Sequence, residues 1–451
     1  MAERLRKACV MAASSGLSWR MWEKGNRAMA LRLRLWAGRL PPSGAGRRSP
    51  STARSTHDPA EPASRRLRPA ARRSGAVPAI GARLMRTALV LSGGIALGAF
   101  EAGLCAALEA AGSPRPGWLA ASSAGAINAA ILAGNPPERR VARLREFWDS
   151  VASAPAPAAL LPPGFPFSLA AVPLRRAGHD AAALQTLLLG RPGLFLPRHW
   201  AGFLPQDGAA LHDLAPLRRR LPELVDFALL NAGAPRLSVV TTDLTSGERV
   251  VFDTGRGDRI GPEHIVAACG LPPLFAPSRV EGRLLGDGGL SANTPLDLVF
   301  DTDDTSPVLC LVAELFAASG QVPRSLSDSL SRAGDLAFGN QTQRILEGQG
   351  RALRLRAALQ AVAERLPAGL RADPALAPAL AAAAGPGAAT VVRLGYHATP
   401  EDAGPGKLFD FSADSLARRW RAGEAGLRAA LRLLEGAPPA APGLTVHEVA
   451  A

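Results

Sequence analysis

From residue 87 onward, short apolar runs alternate with longer stretches that have the period of helices. Thr87–Ser92 and Trp118–Ser122 are rich in strand-forming residues, and each ends at a turn of glycines or serines. An apolar stretch long enough for a helix follows each of them, at Ala99–Ala111 and at Ala124–Gly134. Two successive strand–turn–helix units are typical of a parallel sheet, because parallel strands need crossover connections. The pattern therefore predicts an α/β fold with a central, mostly parallel sheet.

The same pattern continues toward the C-terminal end after one long interruption. Val151–Arg236 is rich in proline and leucine without a clear period, so we interpret it as an insertion. Apolar runs predict further strands at Leu237–Asp243 and Glu248–Asp253 (a hairpin), Val280–Leu285 (a strand pair), Val308–Val312 and Val391–Tyr396. Helical periods predict helices at Glu138–Ser150, Glu263–Cys269, Ser325–Leu366 (one or two) and Ser412–Leu434. The Ala/Pro/Gly stretch Pro374–Ala388 predicts a linker or loop.

The first 85 residues differ from the rest in charge and composition. They hold 18 Lys/Arg against 4 Asp/Glu, whereas the remainder holds 34 of each, so the whole net charge of +14 lies in this leader. Its Arg-, Ser- and Pro-rich runs cannot bury enough apolar surface to offset ordering entropy, and we predict disorder over 1–85. A transit peptide and a true start of translation at Met85 are both compatible with this composition. The sequence thus predicts a leader at 1–85, a main domain at 86–312 carrying the insertion 151–236, and a mainly helical extension at 313–451.

Charge and cysteine usage narrow the functional class. A basic chain suggests a nucleic-acid binder, but the neutral body argues against nucleic acid as a partner. The four cysteines, Cys9, Cys105, Cys269 and Cys310, have no metal-ligand spacing and are too few for a disulfide framework. We therefore expect a chain of a reducing compartment such as the cytoplasm.

Ser123 is the first candidate for chemistry. It lies in Ala121-Ser122-Ser123-Ala124-Gly125, between a predicted strand and a predicted helix. A nucleophilic serine on such a turn needs small residues two positions to either side, and the helix that follows directs N–H groups at a developing oxyanion. An ordinary strand-to-helix turn with an N-capping serine is the alternative, and it stays open on this pentapeptide alone.

Two glycine-containing turns accompany this serine. In Ser92–Gly98, Ile95 occupies the middle-glycine position of a dinucleotide-binding motif, and no Gly-Lys-Ser/Thr follows for a P-loop. A backbone oxyanion hole or a plain tight turn remain as interpretations. Asp287 is flanked by Gly286, Gly288 and Gly289, which favours either an accessible base or a solvated turn.

Taken together and in this order, the three segments resemble the patatin-like phospholipases. The resemblance extends from Arg86 to Arg432 and leaves the leader outside it. Its matching segments are Thr87–Gly103 (the glycine-rich oxyanion segment), Ala121–Asn128 (the nucleophile elbow), Asp287–Gly289 (the aspartate motif), His264–Asn293, and Phe409–Gly423, which is similar to a C-terminal extension of one bacterial subgroup.

The resemblance implies a three-layer α/β/α sandwich and a serine acyl hydrolase of the phospholipase A, lysophospholipase or lipid esterase type. It implies a Ser123–Asp287 dyad, no metal or cofactor, and a phospholipid or other lipid ester as partner, with peripheral contact at a membrane left open. The insertion would form an acyl-chain channel or lid, or pack as ordinary loops. The implied oxyanion hole comprises the backbone N–H groups of Gly93, Gly94, Ile95 and Ala124, and the motif glycines are Gly98, Gly125, Gly288 and Gly289.

The chain also departs from the family pattern in ways that keep alternatives open. Ile95 and Leu97 replace the third glycine and a frequent Arg or Lys, so the loop carries no side-chain cation, and Ala121 replaces the first glycine of the elbow. A conventional α/β-hydrolase would need a histidine, for which His397 is the candidate. A lipid-binding protein without catalysis is the other alternative, suggested by Ile95 and Leu97.

Overall fold

The computed structural model describes residues 85–153, 171–198, 208–302, 304, 306–383, 387–398, 404–436 and 442–450. Apart from Met85, the predicted disordered leader lies outside the described residues, as do two parts of the insertion, 154–170 and 199–207. Among the helices of these ranges, none has the length and apolarity needed to cross a membrane.

A sheet of nine described strands runs through the centre of the fold. Its order is β11-β10-β9-β1-β2-β5-β8-β7, with β6 also paired to β5. The pairings from β11 to β5 along this order are parallel, and the pairings β5–β6, β5–β8 and β8–β7 are antiparallel, which confirms a mostly parallel α/β sheet. The strands, including the separate two-stranded ribbon β3–β4, are β1 Arg86–Leu91, β2 Trp118–Ser122, β3 Leu196–Pro197, β4 His212–Asp213, β5 Arg236–Asp243, β6 Arg249–Asp253, β7 Ser278–Val280, β8 Arg283–Asp287, β9 Val308–Glu314, β10 Ala388–Gly395 and β11 Gly443–Ala450.

Helices cover both faces of this sheet. Alternate residues of a strand point to opposite faces, and in β1 Leu89 and Leu91 join one hydrophobic cluster while Ala88 and Val90 join another. The first cluster includes α1, α2, α3 and α13, and the second includes α9 and α10, so the predicted three-layer arrangement is confirmed. The helices are α1 Gly98–Ala111, α2 Ala124–Ala133, α3 Pro137–Ser150, α4 Ala171–Leu189, α5 Ala215–Leu224, α6 Phe227–Asn231, α7 Pro262–Ala267, α8 Gly289–Ala292, α9 Asp297–Phe300, α10 Leu326–Ala363, α11 Ala368–Arg371, α12 Ala377–Ala383 and α13 Ala413–Glu435.

The C-terminal part of the chain differs most from the sequence prediction. The region Ser325–Leu366 forms one helix, α10, which starts with a capping box between Ser325 and Asp328. The predicted loop Pro374–Ala388 is wrong in its middle, because the alanine-rich run forms α12, and Gln360 of α10 donates to the last carbonyl of that helix at 2.7 Å. Strand β11 was not predicted, yet it pairs with β10 over eight positions.

The sheet explains how two distant turns meet. A strand has two edges, and β6 occupies one edge of β5, so β2 and β8 must share the other edge. They approach each other from opposite directions: β2 ends with Ser122 opposite Val240, and β8 ends with Asp287 opposite Thr241. Ser123 follows the end of β2 and Asp287 is the last residue of β8, so the two residues lie at the facing ends of these strands, beside neighbouring positions of β5.

Candidate active site

Ser123 sits on a strained turn between β2 and α2. Its φ of 51° and ψ of −124° are rare for a residue with a side chain, and such a conformation costs about 1–3 kcal/mol. Gly125 has no room for a side chain, since a Cβ would lie 2.6 Å from the carbonyl oxygen of Leu91. Ala121, in contrast, is a regular and fully buried residue of β2, so its methyl group fits where the family pattern has glycine.

The Ser123 hydroxyl contacts the Asp287 carboxylate directly. Ser123 Oγ donates to Asp287 Oδ2 at 2.6 Å, and the backbone N–H of Gly289 donates to Oδ1 at 2.7 Å. Both side chains are buried, with 7% and 3% of the residue surface exposed. Burial raises the pKa of Asp287 to about 6, although the hydrogen bonds from Ser123 and Gly289 act in the opposite direction. At neutral pH the carboxylate is ionised and has an affinity for a proton well above that of an ordinary aspartate.

The glycines around Asp287 are required by close packing. A Cβ on Gly288 would lie 2.3 Å from the carbonyl oxygen of Val240 and 2.7 Å from Ser122 Oγ. A Cβ on Gly289 would lie 2.8 Å from Asn293 Oδ1. At Gly288 the clash is with backbone and leaves no room for a side chain, whereas at Gly289 the side chain of Asn293 would have to move. The lack of a side chain at Gly288 lets the end of β8 lie close against β5.

The glycine-rich loop lies against the serine from the other side. A Cβ on Gly93 would lie 2.8 Å from Ser123 Cβ, and one on Gly98 would lie 3.0 Å from Ala124 Cβ. The N–H of Gly93 donates to the carbonyl of Asn293 at 3.2 Å, so in this structure it is directed at a protein acceptor, unlike the other expected oxyanion donors. Gly93 serves instead by lacking a side chain.

Three of the expected donors keep their N–H groups available. Within the described part of the chain, the N–H groups of Gly94, Ile95 and Ala124 donate to no protein acceptor. Ile95 has a φ of 51°, so this loop, like the serine turn, holds a residue with a side chain in a left-handed conformation.

The histidine expected for a triad does not meet the serine. His397 is exposed just beyond β10, beside a different surface cavity lined by Tyr396 and Lys407. Among the described residues, no histidine lies within hydrogen-bonding distance of Ser123 or Asp287. In the same ranges, no group of three or more His, Cys, Asp or Glu side chains is placed to hold a metal ion.

A narrow apolar cavity of about 30 Å³ adjoins Ser123. One wall comes from α3 and another from the insertion, which contributes Leu194, Phe195 and Leu214. A cavity of this volume holds about one water molecule and is far too small for an acyl chain. The wall residues outside the insertion are Ile95, Ile127, Phe147, Trp148, Cys269 and Phe275.

A buried polar network under the site was not assigned from the sequence. Glu101 is fully buried in α1 and accepts hydrogen bonds from the Ser92 N–H at 2.6 Å and from Asn128 Nδ2 at 3.3 Å. Asn128 in turn accepts from Trp148 Nε1 at 3.0 Å. Burial raises the pKa of Glu101 well above its ordinary value, despite these bonds. The one sequence signal was a charged residue inside an apolar helix, and the network connects β1, α2 and the cavity wall.

Two family models match this chain. A model described as "Patatin-like phospholipase" covers residues 89–300, and one described as "Patatin phospholipase" covers 336–437. The first match contains Ser123, Asp287 and the glycine-rich loop, and the second contains most of α10 and all of α13.

Solved structures with weak similarity include two bacterial proteins. VipD from Legionella pneumophila is 16% identical, with 78% of this chain and 67% of that chain covered and a TM-score of 0.34. ExoU, in the complex with SpcU from Pseudomonas aeruginosa, is 18% identical, with 66% and 67% covered and a TM-score of 0.23. A structure of ExoU alone is 16% identical, with 75% and 53% covered and a TM-score of 0.24. At such TM-scores the three structures add nothing to the family matches.

Proposed function

The chain belongs to the patatin-like phospholipase family, a family of lipid acyl hydrolases, and on this premise we propose that it cleaves lipid carboxylic esters through an acyl-enzyme on Ser123. Asp287 is the proposed base. The observation that carries the proposal is the 2.6 Å hydrogen bond between Ser123 Oγ and Asp287 Oδ2 at the meeting point of β2 and β8.

The reaction follows from this contact. Ser123 Oγ attacks the ester carbonyl carbon while its proton passes to Asp287 Oδ2, and the carbonyl π electrons move to the oxygen. When the tetrahedral intermediate collapses, the ester C–O bond breaks and the leaving alkoxide takes the proton from Asp287. A water molecule then gives its proton to Asp287 and attacks the acyl-enzyme, and the second collapse returns the proton to Ser123 and releases the fatty acid.

The oxyanion formed in both steps needs hydrogen-bond donors. We assign this role to the N–H groups of Gly94, Ile95 and Ala124, because the loop and the start of α2 flank Ser123 and these groups donate to no described acceptor. The N-terminus of α2 adds a favourable partial charge at Ala124. Gly93 is not among the proposed donors, since Asn293 already accepts its hydrogen.

The insertion is the proposed lid over the acyl site. Leu194, Phe195 and Leu214 close the cavity beside Ser123, and its volume of about 30 Å³ leaves no space for a chain of methylene groups. We propose that these residues move away from α3 when an acyl chain binds beside the serine. Binding of a long-chain substrate and displacement of the insertion would be one event.

The outer side of this insertion is the proposed contact with a lipid surface. Leu184, Leu188 and Leu189 of α4 are exposed, and Leu196 and Leu211 are exposed on one face of the ribbon β3–β4. Leucines exposed in the same segment that walls the acyl cavity favour a lipid surface as their partner. Leu188→Asp with Leu189→Asp should weaken binding to phosphatidylcholine vesicles by about tenfold or more and leave hydrolysis of a soluble ester unchanged. Leu355→Asp with Leu359→Asp, on an exposed face of α10, is the matched control.

Labelling with a fluorophosphonate tests the catalytic proposal itself. Wild-type protein should acquire one adduct on Ser123 and hydrolyse p-nitrophenyl esters, whereas Ser123→Ala should lose both while keeping its melting temperature. Ser122→Ala is the matched control, because Ser122 Oγ is buried and has no hydrogen-bond partner among the residues that the structure describes. A wild-type protein that stays unlabelled would instead support the lipid-binding protein without catalysis, and loss of activity in Ser122→Ala alone would mean that the wrong serine was chosen.

A further inference from the structure

Arg419 is a fully buried arginine that reaches the glycine-rich loop from the C-terminal extension. It lies on α13, with no exposed surface, and donates through Nη1 to the carbonyl oxygen of Asp410 at 2.8 Å. The same nitrogen lies 3.4 Å from the carbonyl oxygen of Ala96, at the centre of the short turn Ile95–Leu97 that follows Gly94. Ala96 and Arg419 are 323 residues apart in the sequence.

Two glycines bring this side chain to the loop. Helices α1 and α13 cross at Gly103 and Gly423: a Cβ on Gly103 would lie 2.0 Å from the carbonyl oxygen of Trp420, and one on Gly423 would lie 1.9 Å from that of Phe100. The two backbones are therefore in contact, which only glycine permits. Arg419 precedes Gly423 by about one helical turn, and Ala96 lies just before α1, so the crossing places one beside the other.

The glycine-rich loop Ser92–Gly98 contains no Lys or Arg of its own. Leu97, where the family pattern often has Arg or Lys, is a fully buried hydrophobic residue. A buried guanidinium is costly unless its N–H groups are hydrogen-bonded, and two backbone carbonyls accept from this one. A leucine or methionine would pack in a hydrophobic core at lower cost, so the charge needs a reason beyond packing.

We propose that Arg419 is a positioning residue for the oxyanion loop and supplies, from the C-terminal extension, the positive charge that the loop lacks. By holding the Ala96 carbonyl, it orients the planar peptides of the same short loop that carries the Gly94 and Ile95 N–H groups. Its other acceptor is itself fixed, because the Asp410 carboxylate is hydrogen-bonded to His179 of the insertion at 2.7 Å and to Ser415 at 2.6 Å. The inference rests on the proposed function of the Ser123 site.

The test compares Arg419→Met and Arg419→Lys with wild-type protein in ester turnover and in hydrogen exchange. Arg419→Met should lower kcat by about 10- to 100-fold and change KM by less than about twofold. The reason is that the variant misplaces the N–H donors of Gly94 and Ile95 but leaves the substrate-binding site intact. Arg419→Lys keeps a charge and should recover part of the loss. In Arg419→Met the amides of the loop, residues 93–98, should exchange faster, while those of β1 and β9 stay protected. Arg428→Met, an exposed arginine of the same helix that pairs with Glu424, is the control for loss of charge.

Each outcome decides the inference. Wild-type kcat in a folded Arg419→Met protein, or unchanged exchange of residues 93–98, overturns it. If Arg419→Met does not fold, Arg419→Lys and Arg419→Gln are compared, and equal turnover in these two polar variants overturns the role of the charge. A wild-type protein without esterase activity or fluorophosphonate labelling defeats the proposed function instead, and the exchange measurement still decides whether Arg419 positions the loop.

Discussion

Replacing Asp287 by asparagine keeps the shape of the side chain and removes its ability to accept a proton. In the wild-type protein this carboxylate is buried at the end of β8 and hydrogen-bonded to Ser123 and Gly289. We expect Asp287→Asn to lower the rate of ester hydrolysis by several orders of magnitude and to change how stability depends on pH. The two effects have one cause, which is the cost of keeping a charge out of water.

The size of the stability effect follows from the proton affinity. Burial raises the pKa of Asp287 from 3.8 to about 6, which corresponds to about 3 kcal/mol at about 1.4 kcal/mol per tenfold change in affinity. Because the native state holds the proton more tightly than the unfolded chain, this contribution is fully present below about pH 4 and is lost as pH rises through about 6. Asparagine does not titrate, so the variant gains about 3 kcal/mol relative to wild type over this window.

Urea unfolding of both proteins between pH 4 and pH 8 measures this difference. An amide that mismatches one of the two hydrogen bonds costs about 1–3 kcal/mol, but that offset is the same at every pH. In parallel, the wild-type rate should rise with pH through a single ionisation near 6, without a second, imidazole ionisation. Asp301→Asn, a change at an exposed aspartate, is the control.

Two results would refute this reasoning. A stability difference between wild type and Asp287→Asn that is flat from pH 4 to pH 8 would mean that the carboxylate is not buried as described. A variant that keeps its rate to within about tenfold would mean that Asp287 is not the base, whatever its distance from Ser123.

The remaining predictions concern packing, the polar network, histidine and the leader. Gly288→Ala places a Cβ 2.3 Å from a backbone oxygen and should destabilise the protein by about 3 kcal/mol or more in urea unfolding, whereas Gly117→Ala, with open space around it, should not. Glu101→Gln places an amide NH₂ opposite one of the two present donors, the Ser92 N–H or Asn128 Nδ2, and should lower the free energy of unfolding by about 1–3 kcal/mol. The amides at the end of β1 should then exchange faster. His397→Ala should leave ester turnover unchanged. A large loss of turnover would instead favour the alternative in which His397 completes a Ser-Asp-His triad. A chain starting at Met85 should keep the melting temperature and esterase rate of the full chain. A drop in either would mean that residues 1–84 contribute to the folded structure.

Local structure and the candidate catalytic turns could be predicted from the amino-acid sequence alone. Strands, turns and helices at the start of the main domain depend on residues a few positions apart, so apolar runs and glycines were enough to predict them. The order of the three motifs was enough to indicate the family. The local rules failed at α12, where a run of alanines between prolines and glycines was interpreted as a loop and instead packs on α10.

Tertiary structure decided which of these residues meet. Ser123 and Asp287 are 164 residues apart, and they touch because β2 and β8 end head to head along one edge of β5, a pairing that no local pattern encodes. The same is true of Gly93, whose N–H is taken by Asn293, and of Arg419, which reaches the loop across a helix crossing. Hydrogen-bond partners and burial depend on contacts between distant segments, and these contacts exist only once the chain has folded.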